Sequence, residues 1–235
     1  MQIEELLKKY TPTQIEKLLE SACPLYEPAE STFSDVYSIL HEVVNNVLAV
    51  EIQSQLGHVS ISTEQNLSGS NGRLDIRVSI RNGKLNIRNS STTIAVIELK
   101  TGRLKLIQPA IYAYLEGVDV LLVGLRTPEV QVVTPSVAEA LLNVVADYVE
   151  KKEKLKKEGI AIPGSQSCSR CCNRECGYAT GYESTIVAKD TIYEEKASLI
   201  YQNLDFVVEK VVKHIRSRIF NGNVLEKPEK ALVEA

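Results

Sequence analysis

The sequence lacks a long apolar run, and it lacks a strong excess of charge of either sign. No stretch of its 235 residues approaches the roughly 20 consecutive apolar residues of a membrane-spanning helix. The net charge is −3, so any contact with nucleic acid has to come from local basic patches rather than from the chain as a whole. The first ten residues are amphipathic and partly acidic, which is not typical of signal or transit peptides. These absences predict a cytoplasmic protein with no membrane segment.

Cysteine is scarce outside one short segment. Four of the five cysteines lie between Cys168 and Cys176. In a reducing compartment, this density favours metal ligation over disulfides. Because the adjacent Cys171 and Cys172 cannot easily bind the same ion, the segment offers about three ligands, and Cys23 is the only other cysteine in the sequence. Zinc and an iron–sulfur cluster both accept such thiolates, and the spacing does not separate them.

Hydrophobic periodicity and turn residues predict an α/β protein, with a mixed sheet flanked by helices. Thr11, Pro12 and Gln14 are typical of a helix start with a capping box, and Asn82-Gly83 is a strong hairpin signal. The predicted helices cover about 2–9, 11–21, 34–55, a segment that includes Gln108 and Tyr112, 135–158 and 191–220. The predicted strands are 59–62, 74–80, 84–88, 92–100, 118–125 and 130–134.

One stretch, 92–112, organises the candidate chemistry. An apolar strand leads into Glu98 and Lys100, which lie on the same side of the strand because side chains alternate with a period of two. Leu99 points the other way, toward the core. Thr101-Gly102 is predicted to end the strand, and the following helix places Gln108 and Tyr112 one turn apart on one face.

An aspartate in a preceding strand, Asp75, completes a D…ExK…QxxxY pattern. Asp75 and Glu98 offer hard oxygen ligands for Mg²⁺ or Mn²⁺, with the Leu99 carbonyl as a third candidate. Lys100 is suited to orient a water or to stabilise a phosphate that gains negative charge. An imidazole would favour Mn²⁺ over Mg²⁺, and His41 is the histidine placed to supply it. The pattern predicts a metal-dependent nuclease.

Each of these residues also has a purely structural interpretation. E-x-K occurs again at Glu150 and Glu194, inside charged helical segments where it means little. Asp75, Glu98 and Lys100 could form an ion pair that holds the end of the sheet together. For Gln108 and Tyr112, the functional interpretation is contact with the substrate backbone or a base, through the amide, the ring and the hydroxyl. The structural one is a capping glutamine and a half-buried tyrosine.

Over about residues 11–180 the chain resembles the RecB-like branch of the PD-(D/E)XK nucleases. Within that branch it resembles the CRISPR-associated exonucleases that carry an iron–sulfur cluster, the fourth of the Cas families. No single motif is specific, but six occur in the family's order. The matching residues are Thr13-Gln14-Ile15 with Cys23-Pro24, His41, Gly72-Arg73-Leu74-Asp75, Val96-Ile97-Glu98-Leu99-Lys100-Thr101-Gly102, Gln108 with Tyr112, and the group Cys168, Cys171 and Cys176.

The resemblance implies a restriction-endonuclease-like fold and an exonuclease that cuts single-stranded DNA, commonly 5′ to 3′. The implied nuclease site consists of His41, Asp75, Glu98 and Lys100, with Gln108 and Tyr112 as the family's additional motif. The implied 4Fe–4S ligands, which would join the N- and C-terminal segments, are Cys23, Cys168, Cys171 and Cys176. The implied role is preparation of CRISPR spacers in antiviral defence, with the integrase proteins as partners.

The resemblance also gives the expected organisation of the chain. Residues 1–33 form an N-terminal helical segment with Cys23, residues 34–158 the nuclease core, and residues 159–235 the cysteine group and a C-terminal helix. That helix could cover the core, mediate oligomerisation or bind a partner. Two other functions stay open: a catalytically idle DNA-binding scaffold of CRISPR adaptation, and a zinc-stabilised nuclease of repair or viral DNA processing.

Overall fold

The computed structural model describes residues 1–27, 35–57, 59–67, 72–81, 91–100, 104–124, 129–163, 168–173, 175–179 and 190–221. The helices in these ranges are α1 (Ile3–Lys9), α2 (Pro12–Leu19), α3 (Asp35–Gln55), α4 (Ile107–Glu116), α5 (Pro135–Lys157) and α6 (Asp190–Asn221). The strands are β1 (Val59–Asn66), β2 (Arg73–Arg81), β3 (Ser91–Lys100), β4 (Asp119–Gly124) and β5 (Glu129–Val133). None of these helices is long and apolar enough to cross a membrane.

The five strands form one mixed sheet in the order β1-β2-β3-β4-β5. Strand β2 is antiparallel to both β1 and β3, whereas β3 and β4 are parallel and β5 is antiparallel to β4. The parallel pair requires a crossover, which α4 supplies. The predicted α/β class, with a mixed sheet flanked by helices, is confirmed.

Apolar residues on both faces of the sheet are buried, so helices cover it on two sides. On one face, Ile97, Leu99 and Leu121 pack in a cluster with residues of α3 and α6. On the other face, Val96 and Val120 pack in a cluster with residues of α1, α2, α4 and α5. Glu98 and Lys100 have the same parity as Val96, so they lie on the face that α4 covers.

Local sequence signals account for several element boundaries. Thr11 caps α2 by accepting a hydrogen bond from the Gln14 backbone N–H, and the Gln14 side chain accepts one from the Thr11 N–H. This is the predicted capping box. Helix α4 ends at Gly117, whose φ of 67° is a left-handed conformation that glycine adopts without the steric cost of a Cβ.

The C-terminal helix covers the sheet, one of the three roles that the sequence left open for it. Val207, Val211 and Ile215 of α6 are buried in the core. Phe206, predicted from its spacing to join this apolar set, is instead 42% exposed. The predicted strand 84–88 and the turns at Asn82-Gly83 and Thr101-Gly102 lie outside the described residues.

Candidate active site

Two acidic residues lie side by side where β2 and β3 pair. Ile76 of β2 is the register partner of Ile97 of β3, and Asp75 and Glu98 are the adjacent residues at that end of the ladder. Both carboxylates are buried, with Asp75 8% and Glu98 1% exposed. The backbone N–H of Leu99 donates a 2.7 Å hydrogen bond to Asp75 Oδ2, while the Leu99 side chain lies in the core. The strand that carries Glu98 therefore also orients Asp75.

Glu98 is held in an electrostatically unfavourable environment. Burial and the nearby Asp75 raise the pKa of Glu98 to about 8, although Lys100 opposes this shift. Lys100 Nζ lies 2.5 Å from Glu98 Oε1, whereas Oε2 is buried without a hydrogen-bond partner among the described residues. A buried acceptor with no partner costs about 1–3 kcal/mol, and more if it is charged. A cation bound at Glu98 would remove this cost.

A chain of hydrogen bonds runs from Lys100 into α4 and back to β2. Lys100 Nζ donates to Gln108 Oε1 at 2.7 Å, and Gln108 Nε2 donates to the Tyr112 hydroxyl at 2.6 Å. That hydroxyl donates to the Arg73 carbonyl at 2.9 Å. Burial raises the pKa of Tyr112, so its hydroxyl remains a donor. These linked hydrogen bonds bring Gln108 and Tyr112 into the predicted site and hold the Lys100 ammonium in place.

His41 reaches the same site from α3. Its Nε2 atom lies 3.4 Å from Asp75 Oδ2, and this contact raises the pKa of His41 despite partial burial. The structure thus brings together all the side chains predicted for the nuclease site. The further prediction that the Leu99 carbonyl binds the metal stays a prediction.

These residues line an open cleft of about 480 Å³. One wall comes from the start of α2, where Thr11, Pro12 and Thr13 face the same space as His41 and Asp75. Arg73 lies at the edge, and its side chain is largely exposed. A cleft of this size, with carboxylates, an imidazole and one ammonium, is suited to bind a cation together with an anionic group.

Glu64 was not among the predicted site residues, and the structure places it beside this site. His41, Glu64 and Asp75 each have one ligand atom within 4.8 Å of the ligand atoms of the other two. Among the described residues, no other three histidine, cysteine or acidic side chains lie this close together. Asn45 of α3 donates to Glu64 Oε1 at 2.9 Å and to the Asp75 carbonyl at 3.1 Å. Glu64 lies opposite Asp75, between the register pairs Thr63–Ile76 and Gln65–Leu74, and no sequence motif marks this position.

The four cysteines predicted as ligands line one small cavity. Cys23 comes from the segment after α2, and Cys168, Cys171 and Cys176 come from the segment after α5. Cys171 is buried and its Sγ accepts a hydrogen bond of 3.4 Å from the Glu27 N–H, whereas Cys172 is exposed. The geometry thus includes Cys171 in the set, and Cys172 does not line the cavity.

The segment that carries Cys23 is fixed by a buried lysine that the sequence did not single out. Lys152 of α5 donates to the carbonyls of Leu18 and Ser21, and burial lowers the pKa of its ammonium. Tyr148, one turn earlier on α5, donates to the same Ser21 carbonyl at 3.1 Å. These contacts tie the end of α2 to α5 just before Cys23.

The donor set and the space fit two kinds of centre. Four thiols can hold a zinc ion or a 4Fe–4S cluster. Zinc–sulfur bonds of about 2.3 Å place tetrahedral sulfurs roughly 3.8 Å apart, and no three of these cysteine sulfurs lie within 4.8 Å of one another. The sulfurs as they lie are therefore not arranged as a closed tetrahedral zinc site. The cavity, however, has room for about one water molecule (about 10 Å³), which favours the smaller centre, zinc.

Comparisons with protein-family models, with curated proteins and with solved structures found no match to this chain. The case for a function therefore rests on the residues and their geometry.

Proposed function

We propose that this chain is a divalent-metal-dependent deoxyribonuclease that removes nucleotides from the ends of single-stranded DNA. The single observation that carries the proposal is the convergence of Asp75, Glu98 and Lys100 in one cleft, with one Glu98 oxygen buried and unpaired. The ion pair with Lys100 uses only Glu98 Oε1, which leaves Oε2 as a candidate ligand for a cation. The RecB-like PD-(D/E)XK resemblance supports this proposal through the order of the same residues.

The proposed roles follow from what each group can donate or accept. Asp75, Glu98 and His41 would hold Mg²⁺ or Mn²⁺, with the Leu99 carbonyl as a further ligand. When bound, such a cation lowers the pKa of a water and neutralises charge on a phosphodiester. Lys100 Nζ has three N–H donors, of which Glu98 and Gln108 accept two. The third can donate to the attacking water or to a phosphate oxygen in the cleft.

The remaining cleft residues would position the substrate and the lysine. Gln108 and Tyr112 hold Lys100 through their linked hydrogen bonds, so they affect the reaction by fixing the position of the Lys100 ammonium. Arg73, at the edge of the cleft, adds a local positive charge to that of Lys100, in a chain whose net charge is −3. Such a charge attracts the DNA backbone independently of sequence.

The cysteine group would hold a 4Fe–4S cluster that joins the N-terminal segment to the segment after α5. This proposal rests on the four thiols that line one cavity and on the resemblance of the cysteine motif to that of the iron–sulfur exonucleases. Zinc is the second candidate, and the small volume of the cavity favours it. The role in CRISPR spacer processing, with the integrase proteins as partners, rests on the resemblance of the motifs.

The test is cleavage of end-labelled single-stranded DNA in Mn²⁺ by Lys100→Ala. We expect the rate to fall by about 10²–10³-fold, since the variant loses a donor to the reacting phosphate. Lys154→Ala, on the exposed side of α5, removes the same charge away from the cleft and should cleave like the unchanged protein. If Lys100→Ala cleaves at the normal rate, the proposed role of Lys100 is wrong.

A further inference from the structure

Glu64 adopts a backbone conformation that needs an explanation. Its φ of 54° is the one positive value at a non-glycine residue in the described part of the chain. The left-handed conformation costs an L-residue free energy, and such strain tends to persist where the side chain is needed in a particular place. Here, the strained backbone lies within strand β1, opposite the β2 segment that carries Asp75.

The surroundings of Glu64 hold its carboxylate beside His41 and Asp75. Asn45, which is fully buried, donates to Oε1 and also to the backbone of Asp75, so one side chain fixes both acids. Arg73 Nε lies 2.5 Å from Oε2, but this contact does not have hydrogen-bond geometry, and the arginine side chain is 65% exposed. An exposed ion pair of this kind contributes little.

Asp75 therefore lies next to two other acidic side chains, Glu64 and Glu98. Glu64 and Asp75 form one group with His41, while Glu98 belongs to a second pair with the same Asp75. Carboxylates this close repel one another when ionised, and the buried Glu98 Oε2 has no partner among the described residues. One cation near Glu98 would leave the His41–Glu64 side with two carboxylates and a half-buried imidazole.

We propose that His41, Glu64 and Asp75 bind a second divalent cation. When both cations are bound, they share Asp75, and His41 is a ligand of the second cation instead of the cation at Glu98. One nitrogen and two carboxylate oxygens favour a metal such as Mn²⁺ over Ca²⁺ or Mg²⁺. Two cations bridged by one carboxylate can stabilise both the attacking and the leaving oxygen of a phosphodiester. This inference rests on the proposed nuclease function for its chemistry, but the site itself can be tested without DNA.

The experiment counts bound Mn²⁺ on the full chain by the loss of the electron paramagnetic resonance signal of free Mn²⁺. We expect two ions per chain for the unchanged protein, one for Glu64→Gln and one for Glu98→Gln. Glutamine keeps the acceptor that Asn45 uses, and thermal unfolding in EDTA verifies that each variant is folded. Glu42→Gln, at an exposed position on α3 next to His41, removes the same charge and should still bind two ions.

A single bound Mn²⁺ per chain in the unchanged protein would overturn the proposal. This result is independent of whether any variant folds. Equal binding by Glu64→Gln and the unchanged protein would overturn it as well. Failure of the nuclease proposal would look different, because two bound Mn²⁺ ions without any DNA cleavage would support the second site while contradicting the enzymatic function.

Discussion

The buried carboxyl of Glu98 determines how the cleft responds to pH. Its pKa in the folded protein, about 8, lies above the ordinary value of 4.5, so the folded state keeps a proton that the unfolded state releases. The stability that this proton contributes is fully present below about pH 4.5 and is lost as the pH rises through 8. Since a metal ligand must be deprotonated, metal binding at Glu98 should release this proton.

Glu98→Gln should therefore stabilise the metal-free protein most at high pH. Glutamine cannot ionise, so its advantage in the free energy of unfolding should grow between pH 5 and pH 9 by about 2–4 kcal/mol, since one pKa unit is worth about 1.4 kcal/mol. Thermal unfolding in EDTA at pH 5, 7 and 9 measures this difference. Glu42→Gln is the control. A difference in melting temperature between Glu98→Gln and the unchanged protein that stays constant from pH 5 to pH 9 would contradict the prediction.

Residue by residue, the sequence predicted the site where periodicity alone decides orientation. Glu98 and Lys100 share a face because β3 alternates, and Leu99 between them is buried as predicted. Glu64 escaped prediction because its place depends on a left-handed backbone and on a hydrogen bond from Asn45, and neither leaves a local signal. Lys152 was not predicted because the sequence of a lysine-rich helix does not distinguish a buried lysine that donates to carbonyls from an exposed one.

At the level of elements, helix and strand positions were largely predictable and their contacts were not. Thr11 caps α2 as predicted. Helix α5 begins at Pro135 as predicted, and its N-cap is Thr134, a residue that the sequence pattern assigns to the preceding strand. The attachment of α6 depends on contacts between distant residues: Arg218 and His214 both contact Asp119, which is buried at the first position of β4. Ninety-five or more residues separate these partners, so no pattern along the chain indicates the contact.

Helix α2 connects the two candidate sites. Its first residues line the cleft, and Cys23 of the second cavity lies a few residues beyond its end. With eight residues, the helix is about 12 Å long. If the end of α2 near Cys23 shifts, a rigid helix also shifts Thr11 and Thr13 at the cleft. The contacts of Lys152 and Tyr148 with the end of α2 oppose such a shift.

For the whole molecule, the cysteine centre should act as a long-range crosslink. Cys23 and Cys168 are 145 positions apart, since 168 − 23 = 145. By analogy with a disulfide, closing a loop of this length stabilises by about 4–5 kcal/mol. Cys23→Ser should lower the melting temperature by roughly 8–20 °C and reduce the bound metal, whereas Cys172→Ser should change neither.

Elemental analysis and the visible spectrum of the purified protein identify the centre in the same experiment. A brown protein that contains iron indicates the iron–sulfur cluster, and a colourless protein that contains zinc indicates the alternative. If Cys23→Ser retains the full metal content and melting temperature, Cys23 is not a ligand. The sequence indicated the four thiols, but their convergence depends on the packing of α2 against the rest of the chain.

The most direct test of the central claim is digestion of single-stranded DNA, labelled at either the 5′ or the 3′ end, in Mn²⁺, in Mg²⁺ and in EDTA. The cleft predicts loss of nucleotides from one end with a metal present, no loss in EDTA, and no loss with Glu98→Ala at any metal concentration. Folded protein that binds Mn²⁺ and leaves both labels intact would contradict the account.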